Sequence, residues 1–445
     1  MMKFSDDFVW GTATSSYQIE GAAYDDARGL SVWDMLCRRS GAIVQGDNGD
    51  IACDHYNKFK EDVQLMKWLG IKGYRFSISW SRVLPQGIGN INQKGMDFYS
   101  KLVDELLANG ITPYITLFHW DYPEELYRRG GWLNKDSSEW FAEYTKAITV
   151  SLSDRVTNWM TFNEPQCFMN FGHLTGTHAP GDKLPFADVL QGCHNVLLSH
   201  GKSFRILRDY SKADANIGYA PVGFVHVPAH ETPDQIENAR QSMFSVEQND
   251  LMNNTWWVDP ILFGRYPEDG LRAYEQYLPK IESGDMAIIK TDLDFLGLNI
   301  YHAKYIGTSA DNSSRPVGLT AMNWPVVPES LYWGPKFFYE RYKKPMMITE
   351  NGLANADWPS IDGAVHDPQR IDFMNRYLRQ LNKAISESIP VTGYFHWSLM
   401  DNFEWAEGYT KRFGLIYVDF MNQRRIPKDS AHWYKKLIAA KGQLP

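Results

Sequence analysis

The sequence predicts an α/β fold: one closed (β/α)8 TIM barrel over residues 1–445, with long active-site loops at the C-terminal ends of its strands. Three observations carry this. Short runs rich in β-branched and aromatic residues recur along the whole chain. Amphipathic stretches with apolar residues three and four apart lie between them. No Pro/Ser-rich linker, internal repeat or low-complexity segment interrupts the 445 residues, so the length is read as one barrel rather than two or three domains.

Taken in order, the predicted strands are FVWGTAT (8–14), GYRFSIS (73–79), ITPYITLF (111–118), VTNWMTF (156–162), NIGYAPV (216–222), DFLGLNIY (294–301), PMMITE (345–350) and VTGYFHWS (391–398). YNKFKEDVQLMKWLG (56–70) and MDFYSKLVDELLANG (96–110) read as helices stopped by glycine. Residues 189–210 and 370–388 read the same way. The connections 21–55, 302–335 and 351–367 are rich in Gly, Asp, Asn and Pro and read as loops. Strands alternating with helices imply a parallel sheet, and in a barrel the loops after the strands build the active site.

Hydrophobic residues are 44% and aromatic residues 14%, with 16 Trp. Much of this fills a core, but Trp beside Glu, Asp, Asn and His also suits sugars, whose rings stack on aromatics while their hydroxyls need polar partners. The net charge of −8 and the lack of a Lys/Arg block argue against nucleic acid or an anionic membrane as partner. No stretch approaches the roughly 20 apolar residues of a membrane span. The opening MMKFSDDFVWGTATSSYQIE has no apolar signal-like region, so the expected location is the cytoplasm. Cys37, Cys53, Cys167 and Cys193 lack CxxC spacing, and neither a disulfide framework nor a zinc site is expected. The sequons at Asn253 and Asn312 are read as chance. His226 and His230 have metal-helix spacing, but Pro228 between them argues against a metal; GDNGD (46–50) lacks the other ligands of a calcium loop. No cofactor or metal is expected, and the sequence leaves monomer and homo-oligomer open.

The strand ends carry the chemistry. Gln18 follows the first strand, Arg75 lies in the second, and His119-Trp120 follow the third. Asn163-Glu164 end the fourth, Asn299 and Tyr301 the sixth, and Glu350-Asn351 the seventh. Trp397 ends the eighth, with Glu404-Trp405 just beyond. A barrel brings all of these to one mouth, with the two carboxylates on strands separated by two others. Cleavage of a glycosidic bond needs such a pair, one to protonate the leaving oxygen and one to attack the anomeric carbon. Arg75 beside Glu350 would favour its ionised form; Glu164, among neutral groups and near that charge, would stay protonated.

The motifs FVWGTATSSYQIEG (8–21), YRFSISWSR (74–82), TLFHWDYP (116–123), TFNEP (161–165), LGLNIY (296–301), ITENG (348–352) and HWSLMDNFEWAEGY (396–409) resemble family 1 glycoside hydrolases, in the family's order and over nearly the whole chain. The resemblance implies a (β/α)8 barrel acting as a retaining β-glycosidase, foremost a β-glucosidase, on a small β-glycoside or oligosaccharide. By it, Glu164 is the acid/base, Glu350 the nucleophile, and Arg75 and Tyr301 hold the nucleophile's carboxylate. Asn163 would bond the sugar 2-hydroxyl. Gln18, His119, Glu404 and Trp405 would bind the other hydroxyls, Trp397 would form the stacking floor, and Asn299 would support Glu164. Trp120 and Phe413 complete the binding set, and Trp324 would be the platform for the leaving group.

Two alternatives compete. A 6-phospho-β-glycosidase would carry a small neutral residue in place of Glu404 and a Lys and a Tyr after it; Lys411 is present, but Glu404 and Phe413 depart from that pattern. A non-catalytic sugar-binding barrel would be expected to have lost one glutamate, and both stand here. Gln166 and His173 replace common aromatics and are expected to border the leaving-group site, making it polar and favouring oligosaccharides. Cys167 and His178 read as a buried thiol and a loop-bracing residue.

Overall fold

The computed structural model describes residues 4–307 and 318–443. Eight parallel strands close a barrel: β1 (Val9–Ala13), β2 (Gly73–Ser77), β3 (Thr112–Phe118), β4 (Asn158–Asn163), β5 (Asn216–Ala220), β6 (Phe295–Asn299), β7 (Met346–Asn351) and β8 (Val391–Trp397). They correspond one for one to the predicted strands, in the order β1-β8-β7-β6-β5-β4-β3-β2. The order is sequential around the ring, because each right-handed crossover sets the next strand beside the last.

The predicted helices appear as His55–Leu69, Gln93–Ala108, Phe186–Tyr210 and Pro368–Ser386. The first stops where Gly70 adopts φ 81°, a left-handed turn that costs glycine little. Two predicted loops are partly structured. Residues 21–55 contain the helix Val32–Cys37, opened by a reciprocal cap between Ser31 and Asp34. Residues 302–335 begin with a strand, Ala303–Ile306, paired in parallel with Val225–Pro228, and end in the helix Ser330–Tyr342. His226 therefore lies on a strand, and the helical spacing to His230 does not arise.

Inside the barrel, Tyr114, Met160, Phe295, Met347 and Phe395 pack together beneath the mouth. Two glycines make room for the rings. A Cβ at Gly218 would sit 2.4 Å from the Phe295 ring, and one at Gly11 would sit 2.5 Å from the Phe395 ring. A larger, separate apolar cluster fills the space between strands and surrounding helices. Among the described residues no helix is long and apolar enough to cross a membrane. All four cysteines are free. The Asn253 side chain is buried and donates to Asp250 O and Tyr274 Oη, so this sequon is closed to a glycan in the folded protein. Asn312 lies outside the described residues.

A buried ionic network ties the connection after β7 to the one after β8. Lys428 Nζ donates to Asp357 Oδ2 at 2.6 Å and to Asp401 Oδ1 at 2.7 Å, with no exposed side-chain surface. Arg370 pairs with Asp357 and Asp367, and Arg412 with Asp401. Removing one partner from such a group strands the others in a low-dielectric interior. Lys428→Met is therefore expected to lose about 3–5 kcal/mol in urea unfolding; an unchanged midpoint would show that the network bears no load.

Candidate active site

The C-terminal strand ends surround a cavity of about 940 Å³. Every predicted site residue lines it except Arg75 and Gln18, which lie just behind the wall. The strands dictate this convergence, since alternate residues of each point inward and the last ones reach the mouth.

Glu350, at the end of β7, is held from two sides. Arg75 Nη1 donates to its Oε1 at 2.5 Å and Tyr301 Oη to its Oε2 at 2.6 Å. Arg75 is fixed in turn: its Nε donates to Thr116 Oγ1 at 3.1 Å and its Nη2 to Asn163 Oδ1 at 2.6 Å. Glu164, just past β4, accepts from Asn299 Nδ2 at 2.7 Å. Thr349 Oγ1 donates to Asn299 Oδ1 at 2.7 Å, which turns the Asn299 amide so that its NH2 faces Glu164. Thr349 was missed by the sequence reasoning, although it lies within ITENG beside Glu350.

The two carboxyls differ by environment. Burial pushes Glu164 up to about 8, and the charge of Glu350 adds to the rise. Burial also raises Glu350 above the usual carboxylate value, but Arg75 and the Tyr301 hydroxyl draw it back. The guanidinium belongs to Glu350, so Glu350 ionises first and Glu164 keeps the proton. Cys167, three residues after Glu164, has its thiol pushed well up by burial and then by the Glu164 charge. It stays protonated and is no nucleophile.

The residues expected to bind hydroxyls come from the ends of β1, β3, β4 and β8. Gln18 accepts from Ser15 Oγ at 2.6 Å and donates to Phe403 O at 2.8 Å and Glu404 Oε2 at 3.4 Å. Burial, then the charges of Glu350 and Glu164, push Glu404 up to about 8. Asn163 Nδ2 lies 3.1 Å from His119 Nε2. Burial, then the Arg75 charge, hold His119 neutral by lowering it well below the usual imidazole value. Trp397 lies nearly parallel to the His119 ring, 22° and 5.7 Å between centroids. The Trp120 N–H is bonded to Asn163 O at 3.1 Å, and its ring packs on Trp405 at 4.6 Å, so Trp120 presents only ring surface. Trp324 and Phe413 flank Tyr301, at 5.2 Å and 6.1 Å.

Three site residues that are not glycine adopt left-handed backbone: Trp120 (φ 77°), Glu164 (φ 45°) and Trp405 (φ 51°). Such conformations clash with Cβ and persist only where the surroundings enforce them.

Two expectations fail. Gln166 is fully buried outside the cavity, where its amide bonds Val222 N and O from behind. His173 faces Asp182 Oδ2 at 3.1 Å and also lies outside the cavity. Neither borders the leaving-group side, because the short helix Pro165–Met169 and the turn after it carry them away from the mouth. His178 does line the cavity, packed among Trp33, Trp120 and Phe171.

The sequence profile described as Glycosyl hydrolase family 1 matches residues 1–443. Beta-glucosidase A of Thermotoga maritima is 44% identical over 99% of this chain and 98% of its own length. Beta-glucosidase A of Acetivibrio thermocellus is 42% identical over 99% of both. Among solved structures, the Thermotoga maritima β-glucosidase in complex with deoxynojirimycin superposes with a TM-score of 0.92 over 100% of both chains, at 42% identity.

Proposed function

The chain belongs to glycosyl hydrolase family 1, and from that premise we propose how it works: it is a retaining β-glucosidase in which Glu350 attacks and Glu164 carries the proton. The carrying observation is the difference in partners between two buried carboxyls, a cation and a phenol on Glu350, a neutral amide on Glu164.

In the first step Glu350 forms a bond to the anomeric carbon as the bond to the leaving oxygen breaks and Glu164 gives that oxygen its proton. Esterified Glu350 is neutral, so the charge that helped to keep Glu164 protonated is gone, and Glu164 stays ionised to act as base. It takes a proton from water, whose oxygen bonds to the anomeric carbon and releases Glu350. Asn163, held by Arg75 and Asn299, faces the 2-hydroxyl. Gln18, His119, Glu404 and Trp405 take the remaining hydroxyls, over Trp397. Galactosides and fucosides are expected as secondary substrates, since one acid at Glu404 can meet an axial or an equatorial hydroxyl.

A phosphate at the 6-position would meet an acid rather than a cation in this arrangement. Glu404 stands in its place, and Lys411 is paired with Glu407 at 3.5 Å. The test is a panel of nitrophenyl β-glucoside, galactoside, fucoside and 6-phospho-glucoside, with NMR of the first product. The glucoside should be cleaved to β-glucose first, and the 6-phospho-glucoside at least about 100-fold more slowly. Initial release of α-glucose, or a phospho-sugar preference, would overturn the assignment.

A further inference from the structure

Both ends of the Asn299 amide are committed. Its Nδ2 donates one hydrogen to Glu164 Oε1 at 2.7 Å and the other to Asn163 Oδ1 at 2.9 Å, while its Oδ1 accepts from Thr349 Oγ1 at 2.7 Å. Asn163 Oδ1 is fixed as an acceptor by Arg75 Nη2 at 2.6 Å. The Thr349 hydroxyl faces an amide oxygen, so it must be the donor of that bond. These contacts lie out of water: Asn163 and Asn299 are fully buried and Thr349 is 1% exposed. Thr349 sits on β7 beside Glu350, and its side chain reaches β6 because Gly297 leaves it room. A Cβ at Gly297 would lie 2.8 Å from Thr349 Cγ2 and 3.0 Å from its Oγ1.

A hydrogen bond donated to a carboxyl favours its ionised form. Burial, then the charge of Glu350, raise Glu164, and the Asn299 bond is the largest of the influences that lower it. That bond keeps its full strength while the amide stays aligned with Glu164. Without the Thr349 hydroxyl, Asn299 Oδ1 becomes a buried acceptor with no donor, and the amide regains a partner by tilting or turning. Tilting weakens the bond to ionised Glu164. Turning sets the amide oxygen against Glu164, where it can accept from the protonated acid. Either change raises the pH at which Glu164 ionises.

We propose that Thr349 is a positioning residue for the acid/base: through Asn299, its hydroxyl holds a donor on Glu164 and so lowers the pH at which that acid ionises. This rests on the retaining β-glucosidase reading above. The other charged and titratable groups that act on Glu164 are Glu350, Arg75, Cys167, Tyr301 and Glu404, and a substitution at Thr349 replaces none of them.

The test is the basic limb of the pH profile of kcat/KM for cellobiose, whose leaving oxygen needs the acid. Thr349→Val keeps the shape and removes the hydroxyl, Thr349→Ala also removes it, and Thr349→Ser keeps it. The limb should move up by about 0.5 of a pH unit or more in the Val and Ala variants, and stay within about 0.2 of the parent in the Ser variant. The position of a limb does not depend on the folded fraction, so partial unfolding cannot imitate the result. If the parent's limb persists in Glu164→Ala, measured on cellobiose at higher enzyme concentration, Glu164 is not the acid and the underlying reading fails. If the limb belongs to Glu164 but stays in place or moves down without the hydroxyl, or moves as far in Thr349→Ser, the positioning role is refuted.

Discussion

Glu350→Gly is expected to lower hydrolysis of nitrophenyl β-glucoside by on the order of 10⁴–10⁶-fold, the scale lost when a covalent nucleophile is removed. The residue has no substitute. Glu164 holds its proton up to about 8, Cys167 is protonated, and Glu404 is itself raised to about 8 and is proposed above to meet sugar hydroxyls. The variant leaves space where the carboxylate stood, and α-glucosyl fluoride can place its fluorine there. An acceptor sugar deprotonated by Glu164 then attacks from the opposite face, fluoride leaves, and a β-linked product accumulates because nothing can cleave it. Removing Glu350 leaves Arg75 buried with weaker partners, so circular dichroism should accompany the assay. Hydrolysis within tenfold of the parent, or no product from the fluoride in a folded variant, would move the nucleophile elsewhere.

Glu164→Ala is expected to divide substrates by leaving group. General acid catalysis contributes about 10²–10⁴-fold where the leaving oxygen is basic and little where it is not. Cellobiose should therefore lose at least about 10³ in kcat/KM, while the glucosylation rate with dinitrophenyl glucoside should fall less than about tenfold. Azide should accelerate the second step and yield β-glucosyl azide, since it attacks the glucosyl-enzyme without a base. The pH profile supplies a second readout. Glu164 must be protonated in the first step, and its value is raised to about 8, so activity of the parent should fall as pH rises through that value. The alanine variant should lose this limb in single-turnover measurements at saturating substrate. An unchanged basic limb there would assign the proton to another group.

Much of the fold was legible because each barrel strand is a short β-branched or aromatic run closed by turn residues. The strands Val225–Pro228 and Ala303–Ile306 were not, for they are four residues each and pair only with one another. The helix at Val32 hid in a polar connection, although Ser31 and Asp34 spell a cap in the sequence. At the site, polar residues at strand ends could be located from sequence, because the pleat fixes which way they point. Gln166 and His173 could not: they follow a strand end closely, but a helical turn sets their direction.

The left-handed backbone at Trp120, Glu164 and Trp405 has a consequence for the history and engineering of this protein. Each such residue holds about 1–3 kcal/mol of conformational cost that glycine would relieve. Selection for heat resistance alone would favour glycine at these three positions, as at the other left-handed residues of the chain such as Ala22 and Ser388. Libraries of this protein screened only for folding will tend to discard Glu164, and a screen that also reads turnover is needed to keep it.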